Sequence, residues 1–337
     1  MRAKLNYNNK NKMVKRQKNQ NDDKFIDSLL RPSRWTDYIG QEKIKKNLRL
    51  ILEAAKKRNE SSDHLLFYGP AGLGKTTLAV LAAKEINGNL KTVSGSNLMK
   101  TGDLAAVLSD LGNGDILFVD EAHRIGSAVE EMLYSAMDNR KISVMIGKGP
   151  SGRLLSIDLP PFTLIAATTR PNLLSSPLRS RFGAAFRLDY YELRDIEEII
   201  KRSAKIFEVK ILPEAILMIS KASRFTPRLA NRLLKRCRDF VEVYNHEIID
   251  EKMVSETFNL LEIDALGLEY YDRRLLEIIV KKFKGGPVGI NTLSAALGEE
   301  KGAIEEVYEP HLVKMGFIQR TPKGRVVSRA AYEHLRL

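Results

Sequence analysis

The 337-residue chain holds one cysteine, Cys237, and one tryptophan. A single thiol can build neither a disulfide framework nor a thiolate metal cluster, so a reducing compartment is expected. No apolar stretch approaches the ~20 residues of a bilayer-spanning helix, and the basic N-terminus lacks the apolar core of a secretion signal. The expected location is the cytoplasm, with no membrane partner. Acidic residues are in deficit, 42 against 55 lysines and arginines, and the net charge of +13 points towards a polyanion. Much of that excess lies near the start, where Arg2, Lys4, Lys10, Lys12, Lys15, Arg16, Lys18 and Lys24 stand among asparagines, offset only by Asp22 and Asp23. Residues 1–24 therefore read as a disordered basic tail, either adding phosphate affinity or simply solvated.

What is present is 43% hydrophobic residues, ample for two or three domains. From Phe25 to Leu188 short apolar runs alternate with helical patterns, the signature of an α/β domain with a mainly parallel sheet and helices on its faces. The pattern nominates strands over Leu65–Tyr68, Leu90–Val93, Ile116–Val119, Thr163–Ala167 and Ala185–Leu188. After Tyr191 strand-like runs cease. Apolar residues then recur at helical spacing, predicting a small helical domain with later helices over Pro227–Tyr244 and Glu251–Leu261. A third unit begins near Tyr271, with a helix ending at Gly285-Gly286-Pro287, a short helix over Asn291–Leu297 and a third through Ile304 to Leu312 that Pro310 should kink. Phe317–Arg320 and Arg325–Ser328 flank a Thr-Pro-Lys-Gly turn, so the unit reads as a winged helix. The expected division is 25–190, 191–265 and 266–337.

Directly after the first strand stands Gly69-Pro70-Ala71-Gly72-Leu73-Gly74-Lys75-Thr76-Thr77. Gly69, Gly72 and Gly74 let the backbone curl so that N–H groups face phosphate oxygens, at the positive end of the following helix. Lys75 is placed to reach the β- and γ-phosphates and Thr76 to ligate Mg²⁺, so ATP with Mg²⁺ is the expected ligand pair. The run Ile116–Val119 ends in Asp120-Glu121-Ala122-His123. Asp120 is expected to hold Mg²⁺ and Glu121 to polarise the attacking water. His123 is equally readable as a packed or as a signalling histidine. Thr168-Thr169-Arg170 closes the fourth strand, where a hydroxyl can sense the γ-phosphate, and Ser176–Gly183 carries Arg179 and Arg181 before the fifth. An arginine there can reach a neighbour's γ-phosphate. An ordinary strand-end threonine and a surface ion pair are the plain alternatives, and the residues alone leave both open.

Further segments, Leu30-Arg31-Pro32, Tyr38-Ile39-Gly40-Gln41, Pro160–Ile165, Ala167–Arg170, Leu174–Gly183, Thr226-Pro227-Arg228, Gly285–Gly289 and Tyr308-Glu309-Pro310, stand in an order that resembles the RuvB family. That family comprises bacterial Holliday-junction branch-migration motors, AAA+ ATPases, and the resemblance runs over nearly everything from Leu30 onwards. It implies a P-loop AAA+ domain, a helical lid domain and a C-terminal winged-helix domain. It implies Leu30, Arg31, Tyr38, Ile39 and Tyr191 around the adenosine, Thr169 as sensor 1, Arg181 as an arginine finger acting in trans and Arg228 as sensor 2. It also implies a homo-hexamer on duplex DNA that works with the junction-binding partner RuvA and with RuvC in recombination and repair. RuvA would dock on an apolar hairpin insertion at about 141–157, where Ile142, Val144, Ile146, Leu154, Leu155 and Ile157 flank a Gly147-Lys148-Gly149-Pro150 turn. A hairpin packed inward is the plain alternative.

Family-like DNA contact is expected at the wing, through Arg320 and Arg325 with Lys323 nearby, all suited to phosphates rather than base edges. Glu299, Glu300, Glu305, Glu306 and Glu309 make the third helix a poor groove reader. Three features depart from the family: alanine where isoleucine is usual after Asp120-Glu121, Asp138-Asn139-Arg140 where Glu-Asp-Tyr is usual, and the long basic N-terminus. The competing expectation is an initiator or clamp-loader ATPase using ATP as a switch. A non-enzymatic DNA-binding protein is disfavoured by the intact Lys75, Thr76, Asp120 and Glu121. With Arg181 serving a neighbour, a lone chain is expected to bind ATP and turn it over poorly.

Overall fold

The computed structural model describes residues 28–146 and 153–336; the expected tail over 1–24 and the Gly147–Pro150 turn lie outside the described residues. Packing gathers the chain into two compact units. One runs to Asp195 and includes Thr226–Arg228; the other comprises Ile196–Phe225 and the chain from Leu229 onward.

The first unit is built on the strands β1 (Leu65–Tyr68), β2 (Leu90–Ser94) and β3 (Ile116–Asp120), the hairpin strands β4 (Lys141–Ile146) and β5 (Arg153–Asp158), then β6 (Thr163–Thr168) and β7 (Ala184–Arg187). The order β2-β3-β6-β1-β7 makes a five-stranded sheet, and every neighbouring pair is parallel. Its strands are those nominated from the sequence, to within one residue at each end. Leu66, Leu117, Val119, Leu164 and Ala166 share a core with the helices Thr101–Ser109 and Ser127–Asn139. The alternate residues Leu65, Phe67, Ile116, Phe118 and Ile165 are equally buried, so both faces of the sheet are covered. That is why these strands read as continuous apolar runs.

The β4–β5 hairpin is antiparallel, with Ile142 opposite Ile157 and Val144 opposite Leu155. Ile142 is fully buried and Val144 and Ile157 pack on the core, whereas Leu154 and Leu155 stay exposed. Ile142, Val144 and Ile157 are thus core, and Leu154 and Leu155 are surface.

The second unit opens with amphipathic helices, among them Pro213–Ala222, which has proline in its first turn, and Glu251–Leu260, whose N-cap Asp250 accepts the Met253 N–H at 2.8 Å. The expectation that strands cease after Tyr191 needs correction. Lys210–Ile211 (β8) and Ile248–Ile249 (β9) pair in parallel, too short to leave any periodicity in the sequence.

Beyond them, helices Tyr270–Phe283 and Ile290–Leu297 precede a third helical stretch, Lys301–Lys314. Within it Ile304–Tyr308 is a π turn, and Pro310 follows in the first turn after it. Proline has no N–H and its ring crowds the carbonyl four residues back, and the wider turn just before it accommodates both. β10 (Ile318–Thr321) and β11 (Gly324–Val327) form the wing, and a final helix, Arg329–Leu335, goes unmarked in the sequence pattern.

Candidate nucleotide site

β1 delivers the chain into the glycine-rich loop. Gly69 has φ +136°, and a Cβ there would lie 2.4 Å from the Leu188 carbonyl oxygen. Gly74 has φ +98°, and a Cβ there would lie 2.9 Å from the Tyr38 hydroxyl. Both positions therefore require glycine. The helix Lys75–Ile86 starts at once, with Thr76 and Thr77 partly exposed in its first turn.

Lys75 is buried, and Nζ donates at 2.8 Å to both the Gly69 and Pro70 carbonyls. Burial lowers its pKa, countered in part by the charges of Glu121 and Asp120. Asp120, at the end of β3, is shifted the other way: burial raises its pKa first and the Glu121 charge adds to that. Asp120 is a partly buried carboxylate and Thr76 a partly exposed hydroxyl, and oxygen donors of this kind could hold a hard cation such as Mg²⁺. No group of three or more His, Cys, Asp or Glu able to hold a metal alone occurs among the described residues. A Mg²⁺ bound beside a nucleotide would draw most of its ligands from waters and phosphate oxygens.

Glu121 has left-handed backbone, φ +50°. Its carboxylate is held: the Thr169 hydroxyl donates to Oε2 at 3.1 Å and His123 Nδ1 lies 3.3 Å from the same oxygen. His123 Nδ1 is also 2.9 Å from the Thr168 hydroxyl, which accepts the Arg170 N–H at 3.0 Å. Burial, foremost, pushes the imidazole pKa down. The structure thus brings Thr169 to Glu121 and adds Thr168 and His123. Of these Thr168 carried no distinguishing signal, and His123 offered only its place two residues after Glu121.

Tyr38 and Tyr191 are buried side by side. Tyr191 Oη is 3.2 Å from Tyr38 Oη and donates to the Leu73 carbonyl at 3.1 Å. Burial raises both phenol pKa values, that of Tyr191 to about 12, so both stay neutral. Leu30 is buried, with Arg31 and Ile39 partly so. Arg228 reaches the loop through its own backbone: its N–H donates to the Gly72 carbonyl at 3.4 Å, and its charge lowers the pKa of Asp120. Arg181 is engaged within its own chain, with Nε donating to Asp138 Oδ2 at 2.8 Å.

At the wing the expectation for the arginines changes. Glu309, counted among the acids facing outward, is fully buried, and Arg325 pairs with it at 2.6 Å and with Glu305 at 3.1 Å. The Arg325 side chain is only 13% exposed. Arg320 Nε donates to Glu309 at 2.8 Å, yet its side chain is 51% exposed, and Lys323 lies exposed on the turn. Arg325 therefore closes the wing onto the third helix, leaving Arg320 and Lys323 as the cations at the surface.

Three family models match the chain: the Holliday junction DNA helicase RuvB P-loop domain over residues 30–188, the RuvB AAA lid domain over 191–264 and the RuvB C-terminal winged helix domain over 265–336. The chain is 49% identical over 314 residues to the Holliday junction branch migration complex subunit RuvB of Streptococcus thermophilus, covering 93% of this chain and 94% of that one. The solved structure of the Thermotoga maritima RuvB Holliday junction branch migration motor matches with a TM-score of 0.83 at 49% identity, covering 91% of this chain and 98% of that one. A variant of the same Thermotoga protein matches with a TM-score of 0.84 at 49% identity, with the same coverage.

Proposed function

Because this chain belongs to the RuvB family, we propose that it is an ATP-driven motor that migrates the branch point of Holliday junctions during recombination and repair. The observation that supports this best is the convergence of Lys75, Asp120 and Glu121 at the P-loop, with the Glu121 carboxylate already held by Thr169. The initiator or clamp-loader alternative is not favoured, since the matched models cover P-loop, lid and winged-helix modules in order.

In this reading Lys75 exchanges its two carbonyl partners for β- and γ-phosphate oxygens, and the loop N–H groups take the rest of that charge. Thr76 and Asp120 would hold Mg²⁺, which when bound would supply positive charge to the phosphates. Glu121 orients the attacking water and accepts its proton, with Thr169 and His123 fixing the direction of the carboxylate. Thr169 serves as sensor 1 and Arg228 as sensor 2. Leu30, Arg31, Tyr38, Ile39 and Tyr191 surround the adenosine. Arg181 completes the site of a neighbouring subunit, so six subunits close a ring on duplex DNA.

Lys323 and Arg320 meet DNA phosphates, which gives affinity without reading sequence. RuvA docks on the exposed Leu154 and Leu155 of the hairpin, and RuvC acts on the same junction complex. No helix among the described residues is long and apolar enough to cross a membrane, and the proposed location is the cytoplasm.

The test is movement of a synthetic four-way junction with RuvA, ATP and Mg²⁺. Glu121→Gln should keep ATP binding and abolish both hydrolysis and junction movement; unchanged steady-state hydrolysis in that variant would sink the assignment.

A further inference from the structure

Arg181 is framed on three sides by its own subunit. Its Nε donates to Asp138 Oδ2 at 2.8 Å and its Nη2 lies 2.8 Å from the same oxygen. Nη1 donates to the Pro177 carbonyl at 2.8 Å, and the guanidinium carbon stands 4.6 Å from the centre of the Tyr134 ring. The frame is itself braced. The Tyr134 hydroxyl is 2.7 Å from Ser175 Oγ and 3.0 Å from Glu130, and Ser175 Oγ accepts the Leu178 N–H, capping the helix Ser176–Ser180 that leads into Arg181.

We propose that Asp138 is a positioning residue for Arg181, aiming its guanidinium at the neighbouring subunit's nucleotide. This rests on the reading that Arg181 acts in trans. A guanidinium has five N–H donors, and the contacts to Asp138 and Pro177 engage three of them, leaving one on Nη1 and one on Nη2. One carboxylate oxygen on one edge, a carbonyl on Nη1 and an aromatic ring against the plane fix the orientation and leave donors for a phosphate. Arginine's flexible stem is thereby ordered before the neighbour arrives, so less freedom is lost when the charged transition state forms. In this proposal Asp138 acts through Arg181, the side chain its Oδ2 contacts.

The experiment measures DNA-stimulated ATP hydrolysis by full-length chains in uniform and mixed rings. Asp138→Ala should lower kcat by up to about 10²-fold with KM for ATP unchanged, and Asp138→Glu should recover part of the loss. Asp138→Asn, close to isosteric, serves if the alanine variant does not fold. In an Arg181→Ala background, Asp138→Ala should add little, because a residue acting through another has nothing left to act on.

Mixed rings locate the defect. Asp138→Ala subunits keep an intact nucleotide site, and Glu121→Gln subunits keep an intact finger, so mixing them should give several-fold more turnover than either alone. An unchanged kcat for Asp138→Ala overturns the proposal. So does a loss that mixing fails to rescue while Arg181→Ala subunits are rescued by the same partner. If Arg181→Ala subunits are not rescued either, the trans reading of Arg181 has failed, and the role of Asp138 falls with it.

Discussion

The Thr169 hydroxyl donates to Oε2 of Glu121 at 3.1 Å, joining the end of β6 to the residue after β3. That bond, together with the His123 contact at 3.3 Å, fixes one oxygen of the carboxylate proposed to handle water. Thr169→Val keeps the shape and removes the donor. It should lower kcat about 10- to 10²-fold while ATP affinity changes little. Single-turnover hydrolysis together with equilibrium binding of a fluorescent ATP analogue checks both halves, and an equal loss in the two would contradict the assignment.

Asp120 carries a cost in the absence of a cation. Burial and then the Glu121 charge raise its pKa above the ordinary carboxylate value, so the ionised form disfavours folding. Its contribution to stability falls as pH rises through the raised pKa. Asp120→Asn should therefore raise stability at pH 7, read as a higher Tm without metal, while Mg²⁺-dependent hydrolysis is lost. Thermal melts of both proteins without metal supply the comparison, and a lower Tm for the variant would reverse the argument.

His311 gives the second unit an acid-sensitive core. It is buried, its pKa is pushed down to about 4 by burial first and the Arg224 charge next, and its Nδ1 has no hydrogen-bond partner. The neutral ring is the folded form, so stability is whole above pH 6.5 and is lost as pH falls through about 4. The whole effect is on the order of 3 kcal/mol. His311→Leu gives up the 3.2 Å contact with the Leu266 carbonyl, and should be less stable at pH 7. Denaturant unfolding at stepped pH should show the gap to the parent narrowing towards pH 4.5; a constant gap would exclude His311 as the titrating group.

Arg325 and Lys323 should separate cleanly. Arg325→Ala leaves Glu309 with one ion-pair partner fewer in a fully buried position. It should destabilise the winged-helix region by about 3 kcal/mol or more. Lys323→Ala should leave folding untouched, weaken duplex binding uniformly across sequences and reduce the salt slope by about 1. Melts and salt titrations of DNA binding decide it.

The sheet was legible in the sequence because β1, β3 and β6 are buried on both faces and show as unbroken apolar runs, while glycine spacing marks the loop after β1. Lys75, Asp120 and Glu121 were legible from their place at these strands: Asp120 closes β3, Glu121 follows it, and Lys75 ends the glycine loop after β1. What the sequence concealed is pairing between distant polar groups. Nothing in the spacing links Asp138 to Arg181, or shows that Glu309 turns inward to meet Arg320 and Arg325, because acids on a helix read as solvated until the fold supplies a partner. The two-residue strands β8 and β9 are below the length at which alternation can register. His123 was open between packing and signalling, and only its distances to Thr168 and Glu121 place it beside the carboxylate.

Tyr38 and Tyr191 stand 153 residues apart in sequence, yet both hydroxyls gather at the Leu73 carbonyl in the middle of the phosphate loop. The loop is thus fastened to segments on either side of the whole sheet in chain order. Any ligand that orders the loop must also protect both flanks, by mass action on their opening. Amide exchange near Tyr38 and near Tyr191 should slow together when nucleotide binds, and fraying of either flank should loosen the grip on phosphate.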